Sequence, residues 1–312
     1  MRVLVAGATG VIGRQLVPVL ISAGHEVVAV SRGRSQAPDQ VGVTAVVADI
    51  LDRGAITRVV REQAPDAIVH IATAIPAEIN PKKLAADFEA TNRLRTEGTR
   101  NLIEAASEAG VGRVVTEGLA YAYDPSSSTP AAEGAPLWQA PPKQFAPVLE
   151  ALQELERLTA QANGLVLRFG HLYGPGSIYA SDGSFVNQVR AGKVPLVGGG
   201  TSTFSFTHSY DAATAILAAV QSHGTGSLNI VDDEPAQMSV WLPVLADILG
   251  ARKPKGAPAM MAKLAVGDWG VAFMTKLRGA DNSNAKRSLD WQPKYTSWRT
   301  GFVSELQNGK NG

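Results

Sequence analysis

Short apolar runs alternate with stretches of helical spacing along the first half of the chain. Arg2 to Ala6 (RVLVA) is long enough for one buried strand. Glu26 to Ser31, Val43 to Ala48, Ala67 to His70, Arg113 to Thr116 and Leu165 to Phe169 repeat the pattern. Between them, Val11, Ile12, Leu16, Val19 and Leu20 mark one face of a helix that closes at Gly24. Phe88 to Ala109 turns Leu94, Leu102, Ile103 and Ala106 inward and stops at Gly110, and another helix is predicted from Pro147 to Ala162. Apolar strands alternating with helices predict βαβ units, hence an α/β fold: a Rossmann-type doubly wound parallel sheet with helices on both faces. Pro18 lies inside the first helix and removes a backbone donor, so a kink or an early end is expected there.

From Tyr173 the pattern changes. Gly174-Pro175-Gly176 and Gly198-Gly199-Gly200 interrupt it, strands become isolated, and tryptophan accumulates toward the end. Asp211 to Val220 and Leu228 to Val231 again read as core helix and strand. The expected organisation is a dinucleotide-binding domain over 1–172, to which 201–231 returns, with 173–200 and 232–312 forming a smaller, discontinuous substrate lobe. Ala257 to Leu277 is apolar but carries Lys263, Asp268 and Lys276, so it reads as a helix burying one face and not as a span. Its Met260, Met261, Trp269, Phe273 and Met274 suit either an apolar lid or packing of the small lobe.

Composition removes several classes of function. A formal net charge of +1 gives no electrostatic case for nucleic acid or an anionic membrane surface. The absence of cysteine excludes disulfides, thiolate metal ligands and a cysteine nucleophile, and no metal is expected. The first apolar run is too short for a signal peptide, so a cytoplasmic location is expected.

In open parallel sheets ligands bind at the carboxyl ends of the strands. The first strand runs into Gly7-Ala8-Thr9-Gly10-Val11-Ile12-Gly13 and then a helix. Gly7 permits the tight turn, Gly10 the approach of a pyrophosphate, and Gly13 close packing of helix on strand. Unpaired N–H groups at the helix start would receive the phosphates.

The chain resembles the extended and atypical short-chain dehydrogenases, the NAD-dependent epimerases/dehydratases. The resemblance rests on GATGVIG, Asp49-Ile50, HIATA at His70 to Ala74, Thr91-Asn92 with Gly98-Thr99, LRFGHLYGPG at Leu167 to Gly176, THSYDAA at Thr207 to Ala213 and NIVDDEP at Asn229 to Pro235. It implies that Thr9, Gly10, Val11 and Ile12 hold pyrophosphate and that Asp49 and Ile50 border adenine. It places Ala72, Thr73 and Ala74 on the ribose and nicotinamide side, with Gly170, His171 and Leu172 beside the nicotinamide. A small-molecule substrate and a homodimer are expectations of the same resemblance.

Two departures matter. The second strand ends in Ser31-Arg32, where an NAD-preferring site wants a carboxylate for the ribose 2′-OH. A hydroxyl and a guanidinium suit a 2′-phosphate instead, so NADP is expected over NAD. The family's chemistry uses a serine or threonine after the fifth strand and a Tyr-x-x-x-Lys pair on the next helix. Here Val148 and Leu152 occupy the tyrosine and lysine positions, and Glu117 falls near the serine. Glu117 and Tyr121 are the candidate proton donors. The expected function is an NADP-dependent oxidoreductase acting on a small carbonyl or alcohol. The alternatives are a non-catalytic NADP(H) sensor and an epimerase or dehydratase with a captive cofactor.

Overall fold

β1 (Arg2–Ala6) is central to a seven-stranded sheet with β2 (Glu26–Ser31), β3 (Val43–Val47), β4 (Ala67–His70), β5 (Arg113–Leu119), β6 (Leu165–Phe169) and β7 (Gly226–Ile230). The computed structural model describes residues 1–33 and 41–307. The strand order is β7-β6-β5-β4-β1-β2-β3, and every neighbouring pair is parallel. The order reverses between β1 and β4, which opens a crevice at their carboxyl ends.

The helices framing the sheet are α1 (Gly13–Ser22), α2 (Arg53–Gln63), α3 (Thr99–Ala109), α4 (Ala146–Gln161) and α5 (Ser209–Gln221), with α6 (Ala259–Thr275) beyond it. Successive strand residues serve opposite faces. Val3, Val5 and Val27 join Leu16, Leu20 and Ile216 of α1 and α5 in one core layer. Leu4, Val28 and Ile68 join Ile56, Val60 and Leu102 of α2 and α3 in the other. Burial on both faces is why these strands read as unbroken apolar runs. β3 is the sheet edge, which leaves Val47 exposed despite its apolar sequence.

A third cluster joins Val148, Leu149 and Leu152 of α4 to Phe204, Phe206, Trp241, Trp269 and Trp298. His208 ties this region to α5. Its Nδ1 accepts from the Tyr210 N–H at 3.0 Å, its Nε2 lies 3.1 Å from Glu305, and its ring stacks on Tyr295 at 3.8 Å.

Several local expectations need correction. α1 runs as one element through Pro18, because Pro18 and Arg14 are exposed and the carbonyl that loses its donor can turn to water. The helix expected over Phe88 to Ala109 is interrupted: Glu89–Arg93 is helical, Leu94–Gly98 is a π-turn, and α3 follows. β5 extends three residues further than its apolar run, to Leu119. α6 bends at Gly267, whose φ of 71° breaks the ladder. Met260 and Met261 are exposed, so they face away from the interior, while Trp269 stacks on Phe145 at 4.1 Å. Among the described residues no helix is long and apolar enough to cross a membrane, and no cluster of three His, Cys, Asp or Glu could hold a metal ion.

Candidate active site

The exit of β1 is shaped by what glycine leaves out. Gly7 has φ 102°, and a Cβ there would lie 2.7 Å from the Ile71 carbonyl carbon. The loops after β1 and β4 close on each other only because that atom is missing. The Gly10 N–H donates to the Gly7 carbonyl at 3.0 Å. A Cβ on Gly13 would sit 2.2 Å from the same oxygen, so α1 starts hard against the turn. Around Gly10 the nearest atom to such a carbon is that oxygen, at 3.3 Å, and the outer side of the turn faces the cleft. Backbone N–H groups at the start of a helix, with no side chain over them, are the arrangement a pyrophosphate requires.

A cavity of about 470 Å³ runs along the carboxyl ends of the strands. Gly7, Thr9, Gly10, Val11, Ile12, Ser31, Arg32, Asp49, Ile50, Ala72, Thr73, Gly170, His171 and Leu172 all line it, as do Glu117 and Tyr121. Ala74 does not; its N–H donates to Thr91 Oγ1 at 3.0 Å, which anchors the loop after β4. Asp49 Oδ1 accepts from the Leu51 N–H at 3.0 Å, and the buried Ile50 fits where a Cβ on Gly98 would come within 2.8 Å. Ser31 Oγ accepts from the Gly33 N–H at 3.3 Å at the end of β2.

The deeper end differs from the sequence expectation. Glu117 lies inside β5, buried, and accepts from Arg95 Nη2 at 3.0 Å. Burial raises its carboxyl above the ordinary range, against the pull of Arg95. Tyr121 stacks on His171 at 4.5 Å with the rings 12° apart, and His171 stacks in turn on Phe204 at 4.2 Å. Burial pushes the Tyr121 phenol up to about 12, with Arg95 opposing. It pushes the His171 imidazolium down to about 3, so His171 is a neutral imidazole near pH 7. Tyr123 is engaged elsewhere: its hydroxyl donates to Asn229 Oδ1 at 2.6 Å and accepts from Arg168 at 2.8 Å. Val148 and Leu152 are each 1% exposed and lie outside the cavity lining, so that face of α4 presents no proton donor to the site.

Sequence reasoning missed Arg95. A regular helix turns 100° per residue, so Leu94 pointing inward argues for a polar residue elsewhere at the next position. The wider π-turn buries both, with Arg95 only 1% exposed and lining the cavity. Nothing in the periodicity announces this. His70 braces the turn: its Nε2 lies 3.1 Å from the Leu94 carbonyl, and its Nδ1 lies 3.4 Å from the Ala72 N–H.

Sheet order, glycine turn and cleft define a dinucleotide-binding α/β protein. The chain belongs to the NAD dependent epimerase/dehydratase family, which it matches over residues 3–230. It is 46% identical over 308 residues to a 3-diazoavenalumate denitrifying reductase from Streptomyces sp, with 98% of this chain and 100% of that protein covered. Among solved structures it resembles a double mutant of the dTDP-glucose 4,6-dehydratase DesIV from Streptomyces venezuelae, with NAD bound: TM-score 0.79, 21% identity, 100% of this chain and 98% of that one. It also resembles a human epimerase family protein with NADPH: TM-score 0.75, 21% identity, 99% and 100% covered.

Proposed function

We propose that the chain is an NADPH-dependent reductase that removes a diazo group from a small planar organic acid. The observation that carries this reading is the replacement of the Tyr–Lys pair by Val148 and Leu152, both sealed in the core. Carbonyl reduction needs a proton delivered to oxygen as hydride arrives at carbon. Loss of dinitrogen does not. A reduced nicotinamide supplies a hydride, and a diazonium carbon that accepts it becomes C–H while the C–N electron pair leaves with N₂. The full-length relative is named for denitrifying a diazo carboxylate, which supports the same chemistry here.

In this reading the chain's own residues bind, orient and exclude water. Gly7 and Thr9 to Ile12 hold the pyrophosphate, Asp49 and Ile50 flank adenine, and Ala72, Thr73 and Gly170 to Leu172 border the nicotinamide. Residues 173–200 and those from 232 onward supply the substrate side. Tyr121 lines the cavity and, backed by the stacked His171 and Phe204, offers a flat, neutral wall for a planar ring. Glu117 holds Arg95 and does not shuttle a proton.

The preference for NADP rests on Ser31 and Arg32, which line the cavity at the end of β2. Arg32→Ala should weaken NADPH binding by about 10- to 100-fold, the loss of a charge-assisted contact, and leave NADH within about threefold. Equal weakening in fluorescence titrations would discard the 2′-phosphate role.

The reaction is tested with NADPH deuterated at C4, on each face in turn, and an ortho-diazoquinone carboxylic acid. The expected product carries one deuterium on the ring carbon that held nitrogen, with N₂ released in equal amount. Turnover of ketones but not of the diazo acid would identify a carbonyl reductase. Label that remains on bound cofactor with both would favour the sensor.

A further inference from the structure

Arg95 is anomalous for a buried guanidinium. Nη2 is bonded to Glu117, but Nε and Nη1 are buried and meet no acceptor among the described residues. Arginine cannot shed its charge, so N–H groups left without acceptors in the interior are costly. Such strain persists where surrounding structure enforces it and function uses it. Enforcement is visible here. The π-turn Leu94–Gly98 rotates the side chain inward, and His70 fastens that turn from behind. Insertions of this kind in helices recur at functional sites.

The side chain lines the cavity and acts electrostatically on Tyr121, which lines it too. Acidic groups facing this cavity are few. Glu117 occupies one guanidinium nitrogen, and Asp49 follows β3, four strands away across the sheet. With one nitrogen held by Glu117 and the side chain lining the space a substrate would fill, a charge-assisted bond to an anionic oxygen is the strongest its unpaired N–H groups can make.

We propose that Arg95 anchors an anionic oxygen of the substrate, fixing a planar acid against the Tyr121–His171 wall. The proposal rests on the reading of the cavity as a site for a small planar acid, and it names the residue that would set its orientation. A carboxylate and a phenolic oxygen share the chemistry Arg95 would recognise.

Binding, not turnover, tests it. The full chain with saturating NADP⁺ is titrated calorimetrically with 4-hydroxycinnamate, its methyl ester and its methyl ether. Arg95→Met alone leaves Glu117 buried without its partner, so the Arg95→Met/Glu117→Gln double variant is compared as well, each with its thermal midpoint and NADP⁺ affinity. The wild type should prefer the acid, and the double variant should weaken it by about 30-fold while the ester changes less than about threefold. Loss of discrimination against the ether instead would assign the phenolic oxygen as the ligand, still on Arg95. Acid, ester and ether all weakened equally, or none weakened, would overturn the assignment, as would a wild type that discriminates against neither the ester nor the ether. Failure of ring deuteration with the acid still held by Arg95 would sink the diazo reading and leave the anchor intact.

Discussion

A Gly13→Ala variant should lose nucleotide binding and about 3 kcal/mol of stability, although it adds a single methyl group to the chain. The new carbon would sit 2.2 Å from the Gly7 carbonyl oxygen and 2.5 Å from the Ala8 carbonyl carbon. Both are backbone atoms, so no rotamer change relieves the overlap. α1 would have to lift from β1, and the N–H groups at its start would move with it. Gly110→Ala is the matched control. Gly110 ends α3 at φ 69° with nothing within 4 Å of an added carbon, so it carries only the left-handed penalty of about 1 kcal/mol. Urea midpoints and NADPH titrations on both variants decide the matter. Similar midpoints would mean that the turn is not packed as described.

Restoring the family's pair should damage the protein and not awaken it. Val148→Tyr with Leu152→Lys would place a phenol and an ammonium at positions each 1% exposed, in the cluster that also holds Phe88, Phe145 and Trp269. An uncompensated buried ammonium either deprotonates or opens the core, and the expected loss is about 3–5 kcal/mol. Leu152→Met, which conserves volume and polarity, should cost less than about 1.5 kcal/mol. Carbonyl reduction should not appear in the double variant. An unchanged unfolding midpoint would show instead that this face of α4 still tolerates the pair. Val148 and Leu152 would then be a simple loss of catalysis with the site otherwise preserved.

Much of the scaffold was legible because its signals are local. The apolar runs of β1, β2, β4 and β6 set strands, since a strand covered on both faces has no polar position to spare. Gly110 stops α3 as its place in the sequence suggests, being left-handed where other residues resist. The turn at Gly7 to Gly13 is legible for the same reason: each glycine answers a steric demand within a few residues. The cofactor-side candidates, Ala74 apart, converge on one cavity because parallel strands deliver their carboxyl ends to one edge of the sheet.

What failed to be legible depends on partners distant in sequence. Pro18 is tolerated because its side of α1 faces water. Met260 and Met261 face outward, and α6 bends at Gly267, next to Lys82 and Gln144 from other segments. Glu117 looks like a base at a strand end until Arg95, 22 residues earlier, is brought against it. Tyr121 and His171 are 50 positions apart and stack only because β5 and β6 are neighbours. Local sterics and burial periodicity act over a handful of residues, so the sequence by itself determined the sheet, its order of helices and the glycine turn. The Arg95–Glu117 pair and the aromatic wall were decided by tertiary structure alone, because a charge or a ring acquires its chemistry from the groups that folding packs around it.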